Sequence, residues 1–265
     1  MLLALDIGNT LTDLGVFDGD QLKKTFKFKS NIDRSYDEYR VLFLQYLKEE
    51  ATSFSFSRVI ISSVVPSLTR VWERLCKEVL HLRPLLLGAG LKTGLRISTE
   101  NPIEVGSDLV ADSVGASYLF GHDLFIADLG TANKYIYIDQ TGAFAGCAIA
   151  PGLTLSLNAL VKGTASLPEV SGLITKKVIG RNTSDSMNSG ILNGTVYEIQ
   201  GFHRSFEKEI GRPLQPILTG GNASFVKDLL PEFHYEEWLL LLGLKEIDKK
   251  NANIATTLPM GEAVL

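Results

Sequence analysis

The sequence contains a duplicated strand and turn unit, and this repeat constrains the fold more than any other feature. Residues 2–20 read LLALDIGNTLTDLGVFDGD and residues 124–142 read LFIADLGTANKYIYIDQTG. Aligned on Asp6 and Asp128, each copy has an apolar run, Asp-x-Gly, an alternating apolar stretch and a glycine turn suited to a hairpin. The spacing between the copies is too long for a solenoid repeat. We therefore predict one domain, duplicated, with each copy opening as three strands joined by turns.

Helices and single strands are predicted after each hairpin unit. Apolar residues at helical spacing indicate helices over 36–50, 68–82, 107–119, 153–161, 184–210, 223–230 and 237–247, and short apolar runs indicate strands over 58–65, 83–87 and 215–218. This order predicts an α/β protein with mixed sheets and helices packed on their faces. We place an N-terminal domain at residues 1–121 and a C-terminal domain at residues 122–265, with the last helix free to pack elsewhere.

Charge and composition exclude several classes of protein. The net charge is -4, from 26 Lys and Arg against 30 Asp and Glu, and such a chain lacks the excess of basic residues typical of a nucleic-acid binder. No apolar run approaches the roughly 20 residues of a membrane helix. Cys76 and Cys147 are isolated, which argues against a disulfide framework or a zinc site. We expect a cytoplasmic protein without a nucleic-acid or membrane partner.

The Asp-x-Gly turns are candidates for phosphate binding. In the first copy, Gly8 lets the backbone approach a phosphate, Asn9 and Thr10 add polar contacts, and Asp6 is suited to holding Mg²⁺. An ordinary hairpin turn is the alternative, because Asp and Gly also favour turns. Asp128 opens the second copy of the motif. A glycine pair at Gly220 and Gly221, after a strand and before a predicted helix, forms a third element of the kind that contacts nucleotides.

In this order the motifs resemble the actin, Hsp70 and sugar-kinase ATPase superfamily, and within it the type III pantothenate kinases. The segments that carry the closer resemblance are 62–66 (SSVVP), 101–108 (NPIEVGSD), 128–132 (DLGTA), 150–152 (APG), 163–168 (GTASLP) and 218–221 (LTGG). The resemblance implies two actin-like, ribonuclease H-like domains with mixed five-stranded sheets, the two Asp-x-Gly turns facing one ATP cleft. It also implies a homodimer. Small residues at Ser186, Gly190 and Gly194 would allow a helix to approach another closely, within the protomer or across a dimer.

The resemblance assigns roles to individual residues. The implied activity is phosphorylation of the pantothenate hydroxyl with ATP, the first step toward coenzyme A, with Asp108 as general base. The residues implied to bind ATP are Asp6, Ile7, Gly8, Asn9, Thr10, Leu11, Thr12, Asp13, Thr131, Gly220 and Gly221. Those implied to contact the substrate are Thr99, Gly106, Ser107, Asp108, Leu109 and Thr183. Asp6 would hold Mg²⁺ and Asp128 a monovalent cation, K⁺ or NH₄⁺. A helix N-cap is the alternative role for Asp108.

Several positions depart from the family pattern. Leu109 stands where the family has Arg, Thr99 where it has Tyr, and Asn133, Lys134 and Ile136 where it has Thr, Thr and Asp. The Lys134 ammonium could replace the monovalent cation or the lost Arg charge, or it could be a solvated strand residue. Two further functions stay open: a non-catalytic or regulatory paralogue that retains the fold, and a kinase for another hydroxylated metabolite.

Overall fold

The computed structural model describes residues 1–49, 54–168 and 177–256. The chain forms two compact units. The first contains Met1–Gly94, Ile103–Tyr118 and the chain from Leu240, and the second contains Leu95–Pro102 and Leu119–Leu239. The last helix thus belongs mainly to the first unit. The predicted boundary at residues 121–122 remains a prediction. It separates two copies of a duplicated domain, whereas the two compact units are defined by the contacts within each of them.

A five-stranded mixed sheet forms the centre of the first unit. Its strands are β1 (Leu2–Ile7), β2 (Leu11–Asp18), β3 (Gln21–Lys29), β4 (Arg58–Ser63) and β5 (Leu85–Leu86), in the order β3-β2-β1-β4-β5. Strands β1, β2 and β3 are antiparallel, and β4 and β5 add in parallel. The predicted first hairpin unit is therefore confirmed, and β1, the central strand of the sheet, ends at the Asp-x-Gly turn.

The second unit repeats this topology. Its strands are β6 (Leu124–Leu129), β7 (Ala132–Ile138), β8 (Phe144–Pro151), β9 (Gln215–Thr219) and β10 (His234–Tyr235), in the order β10-β9-β6-β7-β8. Again three antiparallel strands are joined by two parallel ones. Read from β8 to β10, the order matches that of the first sheet from β3 to β5, so the duplication seen in the sequence is present in the fold.

Six helices complete the described part of the chain: α1 (Tyr36–Glu49), α2 (Pro66–Val79), α3 (Ser107–Phe120), α4 (Leu153–Gly163), α5 (Thr183–Ile210) and α6 (Leu239–Lys250). In the first unit the fully buried Trp72 of α2 packs against Phe28, Tyr39 and Phe43, with ring centroids 5.2–5.9 Å apart. In the second, Phe125 packs against Tyr135 and Phe206. No helix in the described ranges combines the length and apolar character that a bilayer crossing requires.

The predicted helix over 223–230 is wrong. The chain instead forms two 3₁₀ turns, Ala223–Phe225 and Lys227–Leu229, closed by backbone bonds three residues apart. Pro231 explains the ending, because the residue before a proline is pushed out of the helical region, and Leu230 has φ -130°. Strand β10 was not predicted, since two residues carry no readable alternation. The end of the first predicted helix, residue 50, lies outside the described residues.

Candidate active site

Two carboxylates face each other across the first hairpin. Asp6 on β1 pairs directly with Asp13 on β2, and the same row continues to Ser62 on β4 and Lys27 on β3. Lys27 Nζ lies 3.6 Å from Asp13 Oδ1. Like charges in directly opposite positions of a sheet are unfavourable, and a bound cation offsets that repulsion. The pair therefore fits Mg²⁺, which proteins hold by one or two carboxylates together with substrate phosphates.

The turn after β1 brings backbone to the same end of the sheet. The Gly8 N–H donates to the Leu11 carbonyl at 2.9 Å, and a Cβ at Gly8 would lie 3.0 Å from that oxygen, so the turn is tight. Asn9 and Thr10 are exposed on it. Ile7 and Thr12 are fully buried on the opposite face of the hairpin. They can contact a nucleotide only through their backbone.

Helix α3 begins beside the end of β4. Ser107 Oγ lies 3.1 Å from Ser62 Oγ and accepts a 3.1 Å hydrogen bond from the Ser63 N–H. The Gly106 carbonyl accepts the first helical bond, from the Val110 N–H. Asp108 is therefore the second residue of the helix and not its N-cap, although its Oδ1 accepts the Leu109 N–H at 2.9 Å.

The row that corresponds to Asp6 and Asp13 in the second unit carries opposite charges. Asp128 on β6 pairs with Lys134 on β7, and the row continues to Thr219 on β9 and Ile149 on β8. Lys134 Nζ lies 2.5 Å from Asp128 Oδ2, and both side chains are largely shielded from solvent. Lys134 thus occupies the position that Asp13 has in the first unit.

Glycines enclose the second Asp-x-Gly turn. The Gly152 N–H donates to the Thr131 carbonyl at 3.0 Å, and a Cβ at Gly152 would overlap the Gly130 carbonyl. Gly220 has φ +93°, and a Cβ there would overlap Asp128 Oδ1. Asn222 Nδ2 donates to the Gly130 carbonyl at 2.9 Å. Gly152 and Asn222 were absent from the predicted site, although Ala150-Pro-Gly152 was among the motifs that carried the resemblance.

Strand β7 is fixed from its other face. Tyr135, the neighbour of Lys134, is fully buried and donates its hydroxyl to Glu198 Oε1 of α5 at 2.6 Å. Burial, followed by the hydrogen bond and charge of Glu198, raises the pKa of Tyr135 above its ordinary value. The phenol therefore stays protonated and holds the strand that presents Lys134.

The remaining predicted substrate residues have different surroundings. Thr99 Oγ1 is buried and has no hydrogen-bond partner in the described part of the chain. Thr183 is exposed at the start of α5, directly after the N-cap Asn182, which accepts the Asp185 N–H at 2.8 Å. Leu109 is 7% exposed. The structure places Asp6, Asp13, Ser107 and Asp108 at one end of the first sheet, and Asp128, Thr131, Gly220 and Gly221 at the corresponding end of the second.

The described parts of the two units hold no preformed metal cage. Within the described ranges, no three His, Cys, Asp or Glu side chains are grouped so that they could hold a metal ion. For Mg²⁺ this is no obstacle, because the ion keeps waters and phosphate oxygens as ligands. The Asp128 carboxylate differs, because its Oδ2 is bonded to the Lys134 ammonium and its Oδ1 packs against Gly220. Its surroundings do not fit an added monovalent ion.

The repeated sheets, each with an Asp-x-Gly turn at the end of its first strand, give this protein the fold seen in actin-like ATPases and sugar kinases. A protein from Campylobacter jejuni named as a Baf family transcriptional activator shares the fold with a TM-score of 0.61 at 18% identity, covering 95% of this chain and 100% of that one. A second solved structure, from Sinorhizobium meliloti, is named as a 2-dehydro-3-deoxygalactonokinase. Its TM-score is 0.58 at 11% sequence identity, and the match covers 100% of this chain and 99% of that one. At these identities the likeness concerns the fold alone.

Sequence comparison identifies the family. The family model for type III pantothenate kinase matches residues 2–205. The type III pantothenate kinase of Geobacillus thermodenitrificans (strain NG80-2) is 39% identical over 258 residues, covering 95% of this chain and 98% of the relative. That of Geobacillus sp. (strain WCH70) is 37% identical over 257 residues, covering 94% and 100%. The chain belongs to the type III pantothenate kinase family and is a kinase.

Proposed function

We propose that this chain transfers the terminal phosphoryl group of ATP to the hydroxyl of pantothenate, the first step toward coenzyme A. Family membership supports the reaction. The observation that carries the proposal is the group of Asp6, Asp13 and Asp108 at one end of the first sheet. Phosphoryl transfer needs a metal-binding carboxylate and a second carboxylate that accepts the hydroxyl proton. ATP as phosphoryl donor suits a cytoplasmic location.

ATP is bound, in this proposal, by the Asp-x-Gly turns of both copies. In the first copy Gly8, Asn9 and Thr10 offer backbone N–H groups and short polar side chains, and Leu11 is exposed beside them. In the second copy the exposed Thr131 and Gly221 are available to the nucleotide. Mg²⁺ at Asp6 and Asp13 would supply charge neutralisation for the phosphates.

Asp108 accepts the proton of the substrate hydroxyl. The side chain is half-buried in the first turn of α3, and the hydrogen bonds of Ser107 Oγ with Ser62 Oγ and with the Ser63 N–H fix this turn against the sheet. A carboxylate in the first turn of a helix also interacts favourably with the positive end of the helix dipole. These features hold the Asp108 carboxylate in the position from which it would act as the base.

Substrate recognition rests on Thr99, Gly106 and Thr183. The buried hydroxyl of Thr99 lacks a partner among the described residues, so a polar substrate group there would satisfy it. Gly106 leaves no room for a side chain, because a Cβ would lie 2.5 Å from Asp108 Oδ1. Leu109 is buried and brings no charge to a carboxylate substrate. This one observation favours the second candidate, a kinase for a less anionic hydroxylated metabolite.

The protein forms a homodimer through α5 in this proposal. Gly190 and Gly194 lie one turn apart, and a Cβ at either position would meet nothing within 4 Å. Close packing inside the described chain therefore does not require glycine there. A glycine inside a helix costs about 1 kcal/mol relative to alanine, which a tight contact with a second copy would offset.

An assay of ADP release with pantothenate tests the function, with mass spectrometry of the product to locate the new phosphate. We expect ADP and phosphorylated pantothenate to form together. ADP release that needs another hydroxylated compound would establish the second candidate. Nucleotide binding without turnover on either would establish a non-catalytic paralogue.

A further inference from the structure

The ion pair between Lys134 and Asp128 has a definite place in the duplicated fold. The register aligns Asp128 with Asp6, Thr219 with Ser62, and Lys134 with Asp13. One copy therefore presents two adjacent carboxylates, with Lys27 Nζ 3.6 Å from Asp13 Oδ1, and the other presents a carboxylate with an ammonium bonded directly to it. The second copy thus carries a positive charge at the position where the first copy has a carboxylate.

The surroundings of the pair favour a permanent contact. Lys134 and Asp128 are directly opposite each other on neighbouring strands, so the two side chains can form their hydrogen bond across the strand pair. Tyr135 anchors the same strand to α5. Because the ammonium is tethered, it competes with a dissolved ion at a high effective concentration. It is also compact and strongly hydrated, which makes it a point charge comparable to an alkali ion.

The other carboxylate oxygen offers little to a second cation. Asp128 Oδ1 packs so closely against Gly220 that a Cβ there would overlap it. An ion bound at Asp128 would have to displace the ammonium, and a largely shielded ammonium that loses its carboxylate partner is unfavourable. The family implies a monovalent ion at this carboxylate, and the residues of this chain do not accommodate it.

We propose that the Lys134 ammonium is a built-in monovalent cation, so that this kinase binds nucleotide and turns over without K⁺ or NH₄⁺. The catalytic part of this inference rests on the proposed function. The nucleotide-binding and stability parts do not, because they concern the charge at Asp128 alone. Lys134 acts as a positioning residue that holds the Asp128 carboxylate and the turn after it.

The test compares KCl with tetramethylammonium chloride at a constant ionic strength of about 0.1 M, where exposed charges are screened beyond about 10 Å. We measure ATP-analogue affinity, turnover and the melting temperature of the wild-type chain, Lys134→Ala and Lys134→Thr. Wild type is expected to behave alike in both salts. In the variants, an uncompensated buried carboxylate should weaken nucleotide binding by about tenfold in tetramethylammonium. KCl should restore most of that loss and raise the melting temperature by mass action.

Lys208→Ala is the matched control, because Lys208 is an exposed residue of α5 in the same unit, and its loss removes one positive charge elsewhere. It should not respond to K⁺ selectively. A wild-type chain whose nucleotide affinity or melting temperature depends on K⁺ would overturn the inference. So would folded Lys134 variants that ignore K⁺. If wild type lacks turnover on pantothenate, the proposed function fails, while affinity and melting still decide the role of Lys134.

Discussion

Ser62 and Ser107 lie side by side at the end of β4, with their Oγ atoms 3.1 Å apart. The Ser107 hydroxyl also donates to the Ser63 carbonyl at 3.2 Å and accepts the Ser63 N–H. This small network joins the first residue of α3 to the strand next to β1. Asp6 on β1 and Asp108 on α3 are therefore held on neighbouring elements of the first unit.

Replacing Ser107 by alanine is expected to lower turnover more than it lowers fold stability. The variant loses a hydrogen-bond network worth about 1 kcal/mol, so unfolding by urea should shift only slightly. Asp108 would lose its fixed position, and misplacement of a catalytic group by about 1 Å can cost 10²-fold in rate. Ser205→Ala, at an exposed position of α5, is the control. Equal turnover in the two variants would remove Ser107 from the positioning of the base.

Asp108→Asn should abolish most phosphoryl transfer and leave nucleotide affinity nearly unchanged. A general base contributes typically about 10²–10⁴-fold, and the amide cannot accept the proton. Single-turnover kinetics and calorimetric titration with an ATP analogue measure the two effects separately. Asp228→Asn, at an exposed position, controls for the loss of one negative charge. If turnover is unchanged, Asp108 is not the base, and its role is the structural one of accepting the Leu109 N–H.

Gly220→Ala is expected to damage the second Asp-x-Gly turn, and Gly121→Ala provides a matched comparison. Both glycines have positive φ, +93° and +87°, but a Cβ at Gly220 would overlap Asp128 Oδ1, whereas one at Gly121 would meet nothing within 4 Å. Both variants should pay about 1–2 kcal/mol for the left-handed backbone. Only Gly220→Ala should add about 1–3 kcal/mol of overpacking and weaken nucleotide binding. Equal urea midpoints for the two would contradict the close contact.

The two cysteines should react very differently with DTNB. Cys147 is exposed, and Cys76 is buried in the first unit. Burial, more than the nearby Glu73, raises the pKa of Cys76 from 9.0 to about 12. We expect one rapidly reacting thiol in the native protein and two after unfolding. Cys147→Ala should leave no fast thiol.

The same shift predicts a pH dependence. Between pH 9 and about 12 the unfolded chain loses the Cys76 proton while the native chain keeps it. The unfolded state then binds fewer protons, so stability falls as pH rises through this window. Urea unfolding of the wild-type chain and of Cys76→Ala at pH 8 and pH 10 measures it, and the variant should lose less stability. A steeper loss in Cys76→Ala would contradict the assignment.

Much of the fold could be predicted because its signals are local. The alternation and the glycine turns of each hairpin unit specify β1 to β3 and β6 to β8, and the pairing of Asp128 with Lys134 follows from the short turn between their strands. The contact between Ser62 and Ser107 joins residues far apart in sequence, and no sequence pattern predicts it. The burial of Leu109 likewise depends on what packs against α3.

Among the candidate site residues, the glycines and aspartates of the motifs were the easiest to place in turns, because tight turns restrict which residues can occupy them. Gly152 and Asn222 were missed since they act on the backbone of another segment, the Gly130–Thr131 turn. The failed helix after Asn222 has a local cause in Pro231, which the helical periodicity of the preceding residues outweighed in our prediction.

The exchange of acid for base at one position gives the duplicated molecule a polarity that its backbone lacks. Each copy has the same three-stranded unit with an Asp-x-Gly turn at the end of its first strand. Asp13 in one copy and Lys134 in the other make the two turns chemically unlike, because one row carries two carboxylates and the other carries a carboxylate with an ammonium. One exchanged side chain thus makes two copies of the same backbone electrostatically distinct.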